Sequence, residues 1–167
     1  MPDNAAHQGL FPLSVHQYGP ANYQPHVLEL YKTYVQTTQE TSRLRYQANT
    51  FFLSINSAII GYVGYVGATS NNGSNLLVAV AGLVLCYTWY RLLKSYRQLN
   101  STKFGVIVKL EQQLPVAAFA EEYEALKKGI GKNKYRSLSA TEKNVPYIFG
   151  LLHSTALIYF FISWAST

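Results

Sequence analysis

Charged side chains are scarce in this sequence. Lys, Arg, Asp and Glu make up 13% of its 167 residues, about half their usual share in a soluble domain. Hydrophobic residues make up 49%, yet the mean hydropathy is zero, so the apolar residues must be concentrated in blocks. The net charge is +6, and a basic excess suits either nucleic acid or anionic lipid. The positions of the basic residues decide between the two.

Cysteines and catalytic motifs are scarce as well. The one cysteine, Cys86, lies in an apolar run, which excludes an intrachain disulfide and provides no metal-ligand spacing. The sequence has no P-loop, HExxH or GxSxG motif. His7, His16 and His26 are irregularly spaced and have no cysteine nearby. We therefore expect no enzyme activity, no catalytic residues, no cofactor and no metal.

Three apolar blocks stand out instead, at residues 48–68, 76–90 and 145–164. The first and third have the roughly 20 residues that a helix needs to cross a hydrocarbon core, and neither contains Asp, Glu, Lys or Arg. The second is shorter, but Asn75 and the Arg91–Lys94 stretch can extend it because long basic side chains reach back to the interface. Core helices of soluble proteins usually carry charge every turn or two. The blocks therefore predict three transmembrane helices.

The basic residues are unevenly distributed around these blocks. Segment 69–74 and the residues after Trp164 contain none, and all 14 Lys and Arg lie before the first block or between the second and third. Because basic loops remain in the cytoplasm, the N-terminus and residues 91–144 are predicted to be cytoplasmic and the C-terminus external. The N-terminus does not resemble a signal peptide, so the first block is expected to be an uncleaved anchor. The basic residues nearest the blocks are expected to contact anionic lipid rather than nucleic acid: Arg43, Arg45, Arg91 and Lys94.

The segments outside the blocks predict further helices. Residues 1–25, rich in Pro, Gly, Asn and Gln, are expected to form an extended arm. Apolar residues at three- and four-residue spacing predict a cytoplasmic helix over 26–47. Nothing interrupts the helix of the second block before Pro115, which predicts one continuous helix over about 76–113.

Residues 91–144 are predicted to form a cytoplasmic helical domain. Phe119–Lys127 has the pattern of a short helix, and 129–134 that of a flexible basic loop. Ser139–Glu142 resembles a capping box, which would begin the helix of the third block.

Small side chains form one face of each of the first two blocks. Such faces let membrane helices approach closely. They predict packing between subunits of an oligomer, packing of the two blocks within one subunit, or both. The small residues recur at spacings of three and four: Ser54, Ser57, Gly61 and Gly64 in the first block, and Ala79 and Gly82 in the second.

Three polar side chains inside the blocks are candidates for function. Asn49 and Asn56 are seven residues apart and share a helix face. Buried amides in a membrane require partners, so these asparagines would either line a hydrated pore or form hydrogen bonds between helices. His153 lies in the third block, and no acidic residue lies inside any block. We therefore expect a structural or gating role for His153 rather than a catalytic one.

Three stretches resemble a known family. They read SRLRYQANTFFLSINSAIIG, WYRLLKSYRQLNSTKFGVIVKLEQQLP and SATEKNVPYIFGLLH, and their order and spacing are similar to those of the RipA family of octameric bacterial membrane proteins. The resemblance implies a ring in the bacterial inner membrane, with eight as the expected number of subunits. It also implies a distant similarity to SLATT-type two-helix domains, which act as pore-forming effectors in defence systems. In such a ring, Lys103 and Glu111 would pair with neighbouring subunits and set their register.

Together these patterns predict an all-α integral membrane protein with three transmembrane helices and a cytoplasmic helical domain, assembled as a homo-oligomeric ring. A pore or channel-like assembly is the leading functional prediction. One alternative is a non-conducting scaffold or regulatory adaptor that binds a partner through its cytoplasmic helices, and another is a stress or defence effector. A pore predicts a hydrated path lined by side chains such as Asn49 and Asn56, whereas a scaffold predicts an apolar or lipid-filled centre.

Overall fold

The computed structural model describes residues 9–67, 74–128 and 142–166, and all regular secondary structure in these residues is α-helical. The all-α prediction is therefore confirmed for this part of the chain. The helices are, in chain order, α1 Val15–Tyr18, α2 Pro20–Gly67, α3 Ser74–Glu111, α4 Ala118–Lys128 and α5 Asn144–Ala165.

Helix α2 begins earlier than the sequence pattern suggested. The extended arm predicted over 1–25 is wrong for its described part, because Ser14 caps α1 and α2 starts at Pro20 rather than after Pro25. Proline is well tolerated at the first helical position, where its missing N–H would have no partner. Pro25 lies further inside and leaves the carbonyl of Ala21 without its helical donor, a loss that the helix accepts near its end.

The other helix predictions agree with the structure. Helix α3 is continuous up to Glu111, where a turn follows. The amide of Gln113 donates to the carbonyl of Leu110 at 3.0 Å, and that of Leu114 donates to Glu111 at 3.0 Å. Pro115 cannot continue the helical ladder. Helices α4 and α5 match the expected short helix and the third apolar block. The predictions that lie outside the described residues concern 1–8, 69–73, 129–134 and 139–141.

The chain divides into two compact units. Residues 1–42 and 98–135 form the first, which we call the arm unit. Residues 43–97 and 136–167 form the second, which we call the span unit because it contains the apolar blocks. Helices α2 and α3 contribute to both units, and the boundaries in these helices lie about one to two turns beyond the ends of the blocks.

The core of the arm unit is aromatic and aliphatic. Tyr23 and Val27 of α2 are buried against Leu110 of α3. Helix α4 adds Phe119, whose ring centroid lies 6.3 Å from that of Tyr31 and 6.0 Å from that of Phe104. This core arises because α2 and α3 each direct an apolar face, at three- and four-residue spacing, toward the other.

In the span unit, α2, α3 and α5 form a three-helix bundle in which every pair of helices is in contact. Phe52 of α2 stacks on Trp89 of α3, with ring centroids 5.9 Å apart. The ring centroid of Trp89 also lies 6.0 Å from that of Phe149 on α5. Between α2 and α5, the side-chain oxygen of Asn56 lies 3.1 Å from Nε2 of His153. Trp89 is fully buried at the centre of the bundle.

Two helices, α3 and α5, are long and apolar enough to cross a membrane by length and composition. Only 28% of the most apolar part of α3 and 17% of that of α5 is buried within the protein, whereas a core helix of a soluble protein is mostly buried. Helix α2 does not meet the same criterion over its described residues. Asn49 and Asn56 lower its hydropathy. A third span therefore remains a prediction.

Candidate functional site

A buried polar cluster joins the three helices of the span unit. The amide nitrogen of Asn56 donates to the carbonyl of Phe52 at 2.8 Å, and its oxygen accepts from the Cys86 thiol at 3.2 Å. The same oxygen lies 3.1 Å from Nε2 of His153. Because this oxygen can only accept, Nε2 of His153 must carry the hydrogen. Asn56 is fully buried and connects α2 to both other helices.

His153 is also fully buried, and its Nδ1 has no hydrogen-bond partner among the described residues. Its imidazole lies directly on the backbone of α3 at Gly82, where an added Cβ would overlap the ring. A small residue at this position is therefore required for α3 and α5 to approach each other. The sequence pattern identified Gly82 as a packing residue but not its partner.

Asn49 forms a second contact between α2 and α3. The indole N–H of Trp89 donates to the side-chain oxygen of Asn49 at 3.0 Å. A buried tryptophan usually needs such an acceptor. Both asparagines predicted to share a helix face thus contact α3 of the same subunit. This geometry favours hydrogen bonding between helices over pore lining.

The two small-residue faces lie in different surroundings. Ala79 and Gly82 of α3 are buried within the bundle, as expected for packing inside one subunit. The face on α2 is exposed instead, and a Cβ added at Gly61 or Gly64 would meet nothing within 4 Å. It is therefore open to a neighbour. The exposed residues of this face are Ser54, Ser57, Gly61 and Gly64.

The basic residues predicted to contact lipid also differ in exposure: Arg45 is partly buried, whereas Arg43, Arg91 and Lys94 are exposed. Arg45 lies 3.7 Å from the carboxylate of Glu142, and the two side chains are 20% and 29% exposed. Arg45 therefore links α2 to the segment that precedes α5. Arg91 and Lys94 are exposed on α3, where Arg91 donates to the Tyr87 hydroxyl at 3.4 Å. Arg43 is exposed and has a contact within the protein.

In the arm unit, Glu111 acts as a remote cap for α4. It is 2% exposed, and its carboxylate accepts from the backbone N–H groups of Phe119 at 2.9 Å and Ala120 at 3.0 Å. The hydroxyl of Tyr31 donates to the same carboxylate at 3.1 Å. Burial, followed by this contact with Glu111, raises the pKa of Tyr31 above its usual value.

Lys103, like Glu111, has hydrogen-bond partners within its own subunit, and the pairing of these two residues with neighbouring subunits stays a prediction. The ammonium of Lys103 donates to the carbonyl of Thr37 at 2.9 Å and to the hydroxyl of Thr41 at 2.8 Å. Both residues thus have their partners inside the arm unit. The sequence did carry one signal for the role of Glu111. Ala117, which precedes α4, has no side chain able to cap a helix, so any side-chain cap for α4 must come from another residue.

No group of three or more His, Cys, Asp or Glu side chains that could hold a metal ion occurs in the part of the chain that the structure describes. The polar clusters connect the helices through hydrogen bonds.

The sequence matches the Octameric membrane protein family (8xMP) over residues 28–162. The chain belongs to this family. The match includes most of α2, all of α3 and α4, and most of α5. No match was found among curated proteins or among solved structures. Membership confirms the resemblance to octameric membrane proteins, and the family name implies self-assembly into octamers in a membrane. The finer similarity to RipA proteins remains a prediction.

Proposed function

We propose that this 8xMP protein is the subunit of a non-catalytic membrane scaffold, an octamer that does not conduct ions along its buried polar side chains. The observation that carries the proposal is the position of Asn56. Its side chain is fully buried. Within one subunit its amide oxygen accepts a hydrogen bond from Cys86 of α3 and lies within hydrogen-bond distance of His153 on α5. A side chain used in this way is not free to coordinate water or ions in a central path.

The surface of the span unit supports the same function. Large apolar side chains are exposed along the bundle, as expected for helices covered by lipid or by other subunits. We infer that α2, α3 and α5 all cross the bacterial inner membrane. The distribution of basic residues favours a cytoplasmic arm unit and an external C-terminus, with Arg91 and Lys94 at anionic headgroups. Examples of the exposed apolar residues are Phe51, Val84, Leu151 and Ile158.

The arm unit offers a surface for a protein partner. Val116 is 68% exposed and Tyr123 of α4 is 64% exposed. Aromatic side chains are enriched where proteins bind, and contiguous exposed apolar patches mark such sites. A scaffold would use this surface to hold a cytoplasmic partner at the membrane. Photo-crosslinking from position 123 in cells should yield an adduct that Val116→Asp weakens, and the absence of an adduct would argue against this role.

Conductance of the purified octamer in planar bilayers tests the proposal. We expect no reproducible unitary currents from the wild type or from Asn56→Leu across a range of voltages and pH values. Wild-type currents that Asn56→Leu changes would show that the buried cluster lines a conducting path. The scaffold would then be wrong.

The exposed small-residue face of α2 favours a second function, a pore lined by Ser54 and Ser57 rather than by asparagines. Both serines are exposed on the subunit surface, and their hydroxyls would border a narrow hydrated path. Ser57→Leu is the matched variant. Currents changed by Ser57→Leu but not by Asn56→Leu would support this pore and exclude the scaffold.

A further inference from the structure

Each subunit of a closed ring needs two different mating surfaces, because it contacts one neighbour on each side. The span unit has two candidates. One is an apolar groove of about 500 Å³ between α2 and α5, lined in part by Ile60, Gly64, Leu152, Ala156 and Tyr159. The other is a ridge on the outer surface of α3.

The ridge consists of Leu77, Val80, Val84 and Tyr87, which are 71%, 43%, 59% and 62% exposed. Their spacing of three and four residues places them on one face of α3. The opposite face of α3 holds Ala79, Gly82, Cys86 and Trp89, which are buried against α2 and α5. In a three-helix bundle, the groove between two helices and the outer face of the third lie on opposite sides. A head-to-tail ring requires two such separate surfaces on each subunit.

We propose that the α3 ridge of one subunit packs into the α2–α5 groove of the next copy of the chain. This inference rests on the octameric assembly in the proposed function. The partner is a second copy because the family is octameric and because Gly64 belongs both to the groove and to the exposed small-residue face of α2. Ridges of one helix commonly pack into grooves of others, and a glycine allows close approach.

The two surfaces also lie at the same depth in the bundle. The contacts of Asn56 with Cys86 and His153 set a common level on all three helices. Ile60 and Gly64 are four and eight residues from Asn56, about 6–12 Å along the helix at 1.5 Å per residue. Val80 and Leu77 are six and nine residues from Cys86 toward the same end, about 9–14 Å. Rotation about a ring axis along the membrane normal preserves depth, so mating surfaces must agree in this way.

Disulfide crosslinking of the membrane-embedded octamer tests the interface. Leu77→Cys with Gly64→Cys, in a Cys86→Ser background that keeps a donor to Asn56, should give on oxidation a ladder of crosslinked subunits reaching the octamer. The matched control pairs Leu77→Cys with Phe161→Cys. Phe161 lies at a similar depth on α5 and is 55% exposed, but it is not among the residues that line the groove. It should give little crosslinking. An equal or stronger ladder from the control pair would overturn the proposal.

Filling the groove provides an independent test. A side chain added at Gly64 meets nothing in its own subunit near its Cβ, so Gly64→Leu should preserve the helical circular dichroism spectrum of the subunit. Native mass spectrometry should show loss of the octamer to smaller species. Ile158→Trp adds bulk at a position of α5 that does not line the groove and should retain the octamer.

The groove could instead hold a lipid acyl chain. In that case Gly64→Leu would leave the octamer intact and reduce the phospholipid that co-purifies with it, and the proposed interface would be wrong. Conductance is measured separately. An octamer without Leu77–Gly64 crosslinks would refute the interface and leave the scaffold standing, whereas wild-type currents would refute the scaffold and leave the interface standing.

Discussion

The buried polar side chains of the arm unit and those of the span unit have different kinds of partner. The buried polar residues described in the arm unit include a carboxylate, Glu111, which binds two backbone N–H groups and a tyrosine hydroxyl. Those described in the span unit are Asn56, Asn75 and His153. None of these has an acidic side chain, and Asn56 and His153 are joined to each other between helices.

This difference follows from the surroundings that each unit is proposed to have. A charge in hydrocarbon is costly, so polar residues inside membrane helices are preferably neutral and paired with one another. Near water a buried carboxylate can be stabilised by several donors, because charge-assisted hydrogen bonds are stronger than neutral ones. Glu111→Ala in the arm unit should act through lost hydrogen bonds, whereas Gly82→Ala in the span unit should act through packing.

The largest effect is expected for Glu111→Ala in the arm unit. It leaves the N–H groups of Phe119 and Ala120 without their acceptor and removes the partner of Tyr31, at a cost of roughly 3 kcal/mol. Hydrogen exchange of the Phe119 and Ala120 amides should accelerate, and the melting temperature should fall. Glu122→Gln, on the exposed surface of α4, is the control and should change neither. Unchanged amide protection in Glu111→Ala would show that the carboxylate is not the cap.

The next largest effect is expected for Gly82→Ala in the span unit. The new methyl group overlaps the His153 imidazole, and overpacking of this kind costs about 2 kcal/mol. Gly105→Ala is the matched control, since its Cβ meets nothing within 4 Å and alanine favours the helix by about 0.5–1 kcal/mol. Thermal unfolding in detergent should therefore shift in opposite directions for the two variants. Equal shifts would contradict the close contact of α3 with α5.

The sequence predicts those features of the two units that depend on neighbouring residues, and not those that depend on contacts between residues far apart in the chain. The stop before Pro115 and the length of α5 were predictable, because proline and hydrophobicity act locally. The predicted start of α2 after Pro25 was wrong, because proline is tolerated near the start of a helix better than in its interior. The partners of Glu111 and Gly82 were not predictable. The partners of Glu111 depend on how the turn after α3 places α4 against Glu111. The partner of Gly82 depends on how α5 packs against α3. No local sequence pattern encodes either arrangement.

A smaller effect, and one that depends on pH, is expected for Tyr31→Phe in the arm unit. Because the pKa of Tyr31 is raised above 10.0 in the folded protein, the unfolded chain loses this proton at lower pH than the folded one. The stabilisation is therefore complete below pH 10 and is lost as the pH rises through the folded-state value. Wild-type stability should decline above pH 10 more steeply than that of Tyr31→Phe. The hydrogen bond itself contributes about 1 kcal/mol. Parallel alkaline profiles would contradict this origin of the pKa shift.

The smallest effect is expected for Arg45→Gln, which tests whether ion pairs matter in the span unit. The pair with Glu142 is long, at 3.7 Å, and remains partly exposed, so its loss should cost about 0.5 kcal/mol. Raising the salt concentration should reduce the difference in melting temperature between the wild type and Arg45→Gln. A loss as large as that of Gly82→Ala would mean that the pair is far better shielded from water than its exposure indicates.

The placement of the two tryptophans has a spectroscopic consequence. Trp89 is enclosed by Phe52 and Phe149 and bonded to Asn49, whereas Trp164 is 61% exposed. Their fluorescence should therefore report on different places, with a short-wavelength emission from the bundle interior and a separate emission from the end of α5. In Trp164→Phe the remaining emitter lies at the junction of the three helices. Its wavelength and its quenching by iodide or acrylamide would then follow the opening of the bundle without any added label.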